Sequence, residues 1–463
     1  MTADAKGADV VPLGVPGLDE LLGGGVPRGY IIVVGGYPGA GKTTLAAQFI
    51  YRGLLAGEPG LYISFVDTKE DFYRNMAAFG MDFASYESKG LFTYYEALNV
   101  SSPDALGDLL EDVLTRVVST GARRVALDSV SAVVQLARDP ARVREILHSA
   151  FYVGLKRNGV TAVLISELPV GSQVVGVGPE EFIADGLLVM RYSVNRSILE
   201  RFIEVRKMRG IELRQVVLPY TIGPAGVEAV PPLSSAIASL PSAVKPERIV
   251  PVISLAELRV PAGSGVLITH DPSIDPLPIS LWALAYPALR EGLRVRFGSY
   301  IHGVASARHM IEQCPGIEHM VERLEVQSFD ASAMSPADAE IITLRNDALF
   351  KPDVVIVEGI HMLLKELGEE GYRQLVYRTL VRRAASRVTT FHLFASKEDD
   401  VWSSIPLSKY YDYVFHLAVD EEGLIVKPLR VWGSVIPPKP IKVAADHLKG
   451  CATLCRFLCG QPQ

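Results

Sequence analysis

The chain has 463 residues, 49% apolar and 21% charged, with a formal charge of −6. That length suits two or three globular domains, and the acidic balance argues against a general nucleic-acid footprint. Four cysteines make no disulfide framework, no window reaches the roughly 18 apolar residues of a membrane helix, and residues 1–10 lack a secretory apolar core, so a cytoplasmic protein without a membrane span is expected.

Residues 11–29 (VPLGVPGLDELLGGGVPRG) lead in, with a short helical turn at 17–22 ended by three glycines. Residues 30–34 read as a buried parallel strand and 45–55 as a helix. Between them stand Gly36, Tyr37, Pro38, Gly39, Ala40, Gly41, Lys42, Thr43 and Thr44, the pattern G-x-x-x-x-G-K-[ST] in its strand–loop–helix setting. The glycines let backbone N–H groups turn inward as an anion nest, and the helix adds the positive end of its dipole. Lys42 would reach the β- and γ-phosphates of ATP, and the Thr43 hydroxyl would ligate Mg²⁺. The next strand, 60–65, ends in Val66-Asp67 before a helix at 68–79. Asp67 either activates a water or caps that helix.

Residues 102–119 carry apolar residues at helical spacing. The strand after them ends in Asp128, placed to hold Mg²⁺ through its water shell. A helix is expected at 141–156 and a strand at 160–166, ending in Ser166-Glu167. The Gly-rich loop at 171–178 has no Lys, Arg or aromatic residue, which removes phosphate contacts and stacking platforms for nucleic acid. Paired strands at 182–192 and 198–207 run into Lys207-Met208-Arg209-Gly210.

The order G-x-x-x-L-D-x-x-L-G-G-G-x-P-x-G followed by the P-loop resembles the KaiC-like branch of the RecA-type ATPases, closely over 11–228. The resemblance implies ATP hydrolysis in a ring, hexameric or similar. It implies two glutamates at 66 and 67, where this chain has Val66 and Asp67, so slow turnover is expected. Ser166 stands where the superfamily keeps a γ-phosphate sensor, and an ordinary polar strand end fits the residues equally. Lys207 and Arg209 match the K-x-R-G whose cations reach the neighbouring subunit's γ-phosphate; two solvated cations after an edge strand is the other reading.

Residues 231–245 read as a linker, dividing a first domain (1–230) from a second (246–443) and a helical tail (444–463). The second half repeats the element order of the first: strands at 265–269, 294–300, 324–329, 351–358, 388–395, 413–418 and 424–431, with helices at 279–293, 336–349 and 372–385. The expected fold is therefore α/β, two tandem RecA-type P-loop NTPase-like domains, each with three layers around a mostly parallel sheet. Glu358 takes the place of Asp128, but the P-loop counterpart, 270–278, has no Gly or Lys, three prolines, and Asp271 and Asp275. No ordinary ATP site is expected there; packing in the ring or a surface for an unknown protein partner is. His302, Arg308 and His309 form either another anion site or plain surface. In the tail, Cys451, Cys455 and Cys459, with His447 before them, lie on one helical face, too spread for a single zinc and suited to apolar packing.

Overall fold

The computed structural model describes residues 9–97, 105–131, 154–171, 184–213, 215–238, 249–252, 258–434 and 438–444. The helix expected at 141–156 falls mostly outside these residues, and the Gly-rich loop at 171–178 and the cysteine-bearing tail almost wholly so. Two compact units result, Met1–Pro232 and Leu233–Gln463.

The first unit opens with β1 (Val10–Val11), α1 (Leu18–Leu21) and β2 (Val26–Pro27). Then come β3 (Ile31–Gly36), α2 (Lys42–Leu55), β4 (Gly60–Ser64), α3 (Lys69–Ala77), α4 (Phe83–Ser88), β5 (Phe92–Glu96), α5 (Ala105–Thr120), β6 (Arg124–Asp128) and β7 (Thr161–Glu167). Strands β8 (Gly186–Asn195), β9 (Ile198–Met208), β10 (Val217–Gly223) and β11 (Gly226–Ala229) close the unit. The nine strands lie in the order β11-β10-β9-β8-β3-β7-β6-β4-β5. From β8 to β5 every pair is parallel, and β9 to β11 add antiparallel edges. Ile31, Ile32, Val33 and Val34 are fully buried, as a central strand covered on both faces requires.

The second unit starts with α6 (Leu233–Ala238), so part of the expected linker is helical. It continues with β12 (Ile249–Val252), β13 (Leu258–Pro261), β14 (Gly265–His270) and α7, in which Pro276–Pro278 and Tyr286–Arg290 flank a π-helical stretch, Ile279–Ala285. Next are β15 (Val295–Ser299), α8 (Val304–Glu312), β16 (Leu324–Ser328), α9 (Pro336–Phe350), β17 (Val354–Glu358), α10 (His361–Ala385), β18 (Thr389–Ala395), α11 (Val401–Ser404), β19 (Tyr413–Asp420), β20 (Gly423–Arg430) and β21 (Ile441–Ala444). Helix α10 begins well before residue 372, and Gly368 (φ 72°, ψ 177°) breaks it within the added stretch.

The eight strands run β16-β15-β17-β18-β14-β19-β20-β21, the order of the first sheet with β14 in the place of β3. The repeat reaches single hydrogen bonds. Ser64 Oγ accepts from the N–H groups of Val66 and Asp67, and Ser299 Oγ from those of Ile301 and His302. Asp185 accepts from Ile31 N–H as Asp412 does from Gly265 N–H. Thr161 accepts from Gly29 N–H as Thr389 does from Gly263 N–H.

Cys314 is buried and disulfide-bonded, a bridge that the expected absence of a disulfide framework did not foresee. A low cysteine count limits the number of bridges and leaves room for a single one. Among the described residues no helix is long and apolar enough to cross a membrane.

Candidate nucleotide site

The loop between β3 and α2 is shaped by backbone that only glycine adopts cheaply. Gly39 and Gly41 have φ of 75° and 90°. A Cβ on Gly36 would stand 2.4 Å from the Met190 carbonyl oxygen, and one on Gly41 would stand 2.7 Å from Ile222 Cδ1. Pro38 and Gly39 form the exposed tip, while Tyr37, Ala40, Lys42 and Thr44 are buried. The Tyr220 hydroxyl, on β10, donates to the Ala40 carbonyl and pins the loop from behind. Gln48 ties α2 to β11 by exchanging hydrogen bonds with the Val227 backbone at 2.7 and 3.1 Å.

Lys42 Nζ donates to the carbonyls of Gly36 and Tyr37, each at 3.0 Å. Burial pushes its pKa down, and the carboxylates of Glu167 and Asp128 pull it back up. The ammonium thus rests on its own loop and can exchange those weak acceptors for phosphate oxygens. Thr43 Oγ1 donates to Asp128 Oδ2 at 2.7 Å, and the Tyr62 hydroxyl donates to the same oxygen at 3.0 Å. Burial raises the Asp128 pKa, the two hydroxyls oppose that, and the nearby Asp67 carboxylate adds to it. A hydroxyl and a carboxylate held together at a phosphate-binding loop are the hard oxygen donors Mg²⁺ takes, so these residues fit the ion.

Asp67 follows β4 in a turn built on Ser64 Oγ, and its own carbonyl accepts from the Tyr94 hydroxyl at 2.9 Å. It does not cap α3. Thr68 is the N-cap, its side chain accepting from Asp71 N–H, because the helix starts one residue later than expected. Val66, in the other family glutamate position, is 60% exposed. Ser166 is buried opposite Gly35 of β3, and Glu167 stands exposed beyond it, its N–H donating to Ser131 Oγ at 2.9 Å. Lys207 pairs with Leu187 across β8 and β9. The Arg209 guanidinium lies 3.1 Å from the buried Asp185 carboxylate, whose same oxygen is 2.9 Å from Lys156 Nζ. P-loop, Asp128, Asp67 and Ser166 therefore gather at the carboxyl ends of β3, β7, β6 and β4, while Arg209 rests on its own chain.

Tyr62, Tyr94, Ser64 and Tyr220 escaped the sequence reading. Tyr62 and Ser64 alternate on β4 toward the face that ends in Asp67, which was the available signal. Tyr220 is 180 residues from its partner and gave none.

The family model described as "ATPase: KaiC" matches residues 11–234. A UPF0273 protein of Aeropyrum pernix is 31% identical over 236 residues, 48% of this chain and 94% of that protein. Residues 11–234 are a KaiC-family ATPase domain. Circadian clock protein KaiC3 of Synechocystis is 30% identical over 47% of this chain and 45% of its own length. Circadian clock oscillator protein KaiC of Thermostichus vulcanus is 32% identical over 46% of this chain, and the chain spans 42% of that relative.

In the second unit the corresponding place carries different side chains. Gly36 and His270 both end the central strand, and Tyr37 and Asp271 make the same backbone bond to the neighbouring strand, 3.1 Å to Met190 and Leu417. Asp275 caps α7, accepting from Leu277 N–H. Asp275 lies 3.7 Å from His302 Nε2, and Asp271 lies 3.7 Å from His416 Nε2. His302 occupies the position of Asp67, and its Nδ1 meets the fully buried Glu358. It is thus engaged with carboxylates, while Arg308 and His309 are exposed on α8, so the three form no anion site.

Proposed function

We propose that this KaiC-family chain binds Mg-ATP in its first unit and hydrolyses it slowly at the subunit interfaces of a cytoplasmic ring, hexameric or similar. The Lys42–Thr43–Asp128 constellation, with Lys42 and Asp128 buried, carries the reading. Lys42 holds the β- and γ-phosphates, with the backbone of Gly36, Pro38, Gly39, Ala40, Gly41 and Thr44 around them. The Thr43 hydroxyl, and Asp128 through water, would hold the Mg²⁺ ion. Bound Mg²⁺ supplies charge neutralisation across the phosphate oxygens. Asp67 is the base: its carboxylate is a methylene shorter than the family's glutamate and lacks the second carboxylate beside it, and this sets the slow rate. Ser166 senses the γ-phosphate. Lys207 and Arg209 act on the adjoining subunit, for which Arg209 leaves Asp185.

The second unit holds no nucleotide and offers its surface to the ring or to a protein partner. The Cys314 bridge agrees with a cytoplasm of the kind found in hyperthermophilic archaea, whose intracellular proteins carry disulfides. A nucleotide-gated scaffold with little turnover is the second reading, favoured by Val66 in place of a glutamate. A DNA recombinase or helicase is a third and weaker one, opposed by the acidic charge.

Particle mass with and without Mg-ATP, measured beside turnover, tests the proposal. Assembly with turnover that Lys42→Ala abolishes supports the enzyme. Assembly with tight binding and no turnover supports the scaffold. A monomer under saturating Mg-ATP refutes the ring, and DNA-stimulated turnover with a steep salt dependence would favour the third reading.

A further inference from the structure

Tyr62 lies in the middle of β4 and is 1% exposed. Its ring is walled in by Phe72 of α3 and Tyr94 of β5, at centroid distances of 4.4 and 5.7 Å, and it stacks within 4° of parallel on Tyr94. A phenylalanine would make the same ring contacts. The hydroxyl is an added cost in such a place, because a buried polar group is unfavourable unless it is hydrogen-bonded. Its acceptor is a carboxylate: Tyr62 donates to Asp128 Oδ2 at 3.0 Å.

The same oxygen accepts from Thr43 Oγ1 at 2.7 Å. A threonine hydroxyl has one hydrogen and two lone pairs. Thr43 therefore spends its hydrogen on Asp128 and keeps lone pairs for a cation. Both donors fall on Oδ2, which leaves Oδ1 to accept from a metal's water. The last torsion of an aspartate is broad and does not by itself fix the plane of the carboxylate. Thr43 belongs to the loop that would meet phosphate. Tyr62 instead reaches in from the core: Ser64 is opposite Asp128 on the neighbouring strand, and Tyr62 stands two residues before Ser64 on the same face.

We propose that Tyr62 is a positioning residue for the metal of the nucleotide site, its hydroxyl fixing the Asp128 carboxylate in the orientation that serves the ion's water shell. The proposal rests on the Mg-ATP reading of the first unit. Groups that orient a metal's ligands from behind are typically worth about 10–100-fold in metal affinity.

The test is Tyr62→Phe, which removes one oxygen and keeps the ring. Binding of a fluorescent ATP analogue by the full chain is titrated in limiting Mg²⁺, in excess Mg²⁺ and in EDTA, and calorimetry follows melting. The expected result is an affinity about 10–100-fold weaker than that of the unaltered chain in limiting Mg²⁺, recovery in excess Mg²⁺, and equal affinities in EDTA. Equal affinities in limiting Mg²⁺ overturn the proposal. So does a weakening of the same size in EDTA, or a variant that no longer folds, since either makes the hydroxyl a part of the scaffold. If the unaltered chain binds no better in Mg²⁺ than in EDTA, the Mg-ATP reading itself fails and this proposal falls with it.

Discussion

Replacing Lys42 by alanine asks whether the molecule holds one nucleotide or two. In the first unit the Lys42 ammonium is buried at the head of α2, three ångströms from the loop carbonyls it would leave for phosphate. A unit-charge pair about 4 Å apart at an effective dielectric near 20 is worth about 4 kcal/mol, or about a thousandfold in affinity. Losing that contact should take ATP binding by the first unit out of the measurable range. The same arithmetic with the opposite sign applies to the second unit. Asp271 stands where Tyr37 does, Asp275 caps the helix, and each carboxylate set near phosphate costs about 4 kcal/mol. His416 faces Asp271, but burial lowers its pKa, so at neutral pH it does not cancel that charge. Titration calorimetry should therefore give one Mg-ATP per chain, and none for Lys42→Ala with its nucleotide-free melting unchanged. Two nucleotides per unaltered chain, or one remaining in Lys42→Ala, would refute the reasoning.

Three further outcomes follow from the geometry. Asp67→Asn should lower turnover by about 10²–10⁴-fold, the usual worth of a general base, while ATP affinity holds, and unchanged turnover would remove Asp67 from the mechanism. Mixing Lys42→Ala with Arg209→Ala subunits should restore turnover above either alone, because a hybrid interface joins an intact P-loop to an intact Arg209; a mixture no more active than its parts would assign Arg209 to its own Asp185. Acid should unfold the second unit early. His392 is buried with its pKa down near 3, so below pH 6.5 the unfolded chain binds a proton that the folded one refuses. The stabilisation is complete above pH 6.5 and is lost as pH falls toward 3, at about 1.4 kcal/mol per unit, or about 2 kcal/mol by pH 5. Urea melts followed by Trp282, Trp402 and Trp432, all in this unit, should show that loss, and His392→Gln should flatten it; equal pH slopes in the two proteins would contradict the assignment.

What could be read from the chain alone was what is local. The P-loop is a strand, a glycine turn and a helix within some twenty-five residues, and it appears where the pattern puts it. Asp128 was legible as the polar end of an apolar run behind that loop. Features set by distant partners were not: Tyr62 reaches Asp128 across 66 residues, and Gln48 reaches Val227 across 179. Capping by Thr68 rather than Asp67 turned on a one-residue boundary. The π-helical stretch in α7 and the break at Gly368 depend on packing that helical periodicity does not encode. The Cys314 bridge was missed because a count of cysteines says nothing of which two come together.

The two halves show which residues belong to the fold and which to the chemistry. Ser64 and Ser299, Asp185 and Asp412, and Thr161 and Thr389 are the same residue types making the same bonds in each unit. Each satisfies a backbone N–H in a turn or at a strand start, a group that must find a partner in any sheet of this kind. The residues proposed to face phosphate have no such constraint. Tyr37 became Asp271, and Asp67 became His302 over Glu358, without disturbing the strand order around them. In the first unit Asp67 hangs on the same Ser64 turn that carries His302 on Ser299. Val66 and Asp67 can therefore depart from the glutamates that the resemblance implies at no cost to the scaffold, and under the proposed function the change would register in the rate of hydrolysis. A glutamate restored at 67 should consequently raise turnover while leaving the melting temperature alone, and a melting change without a rate change would mean that this turn serves the fold after all.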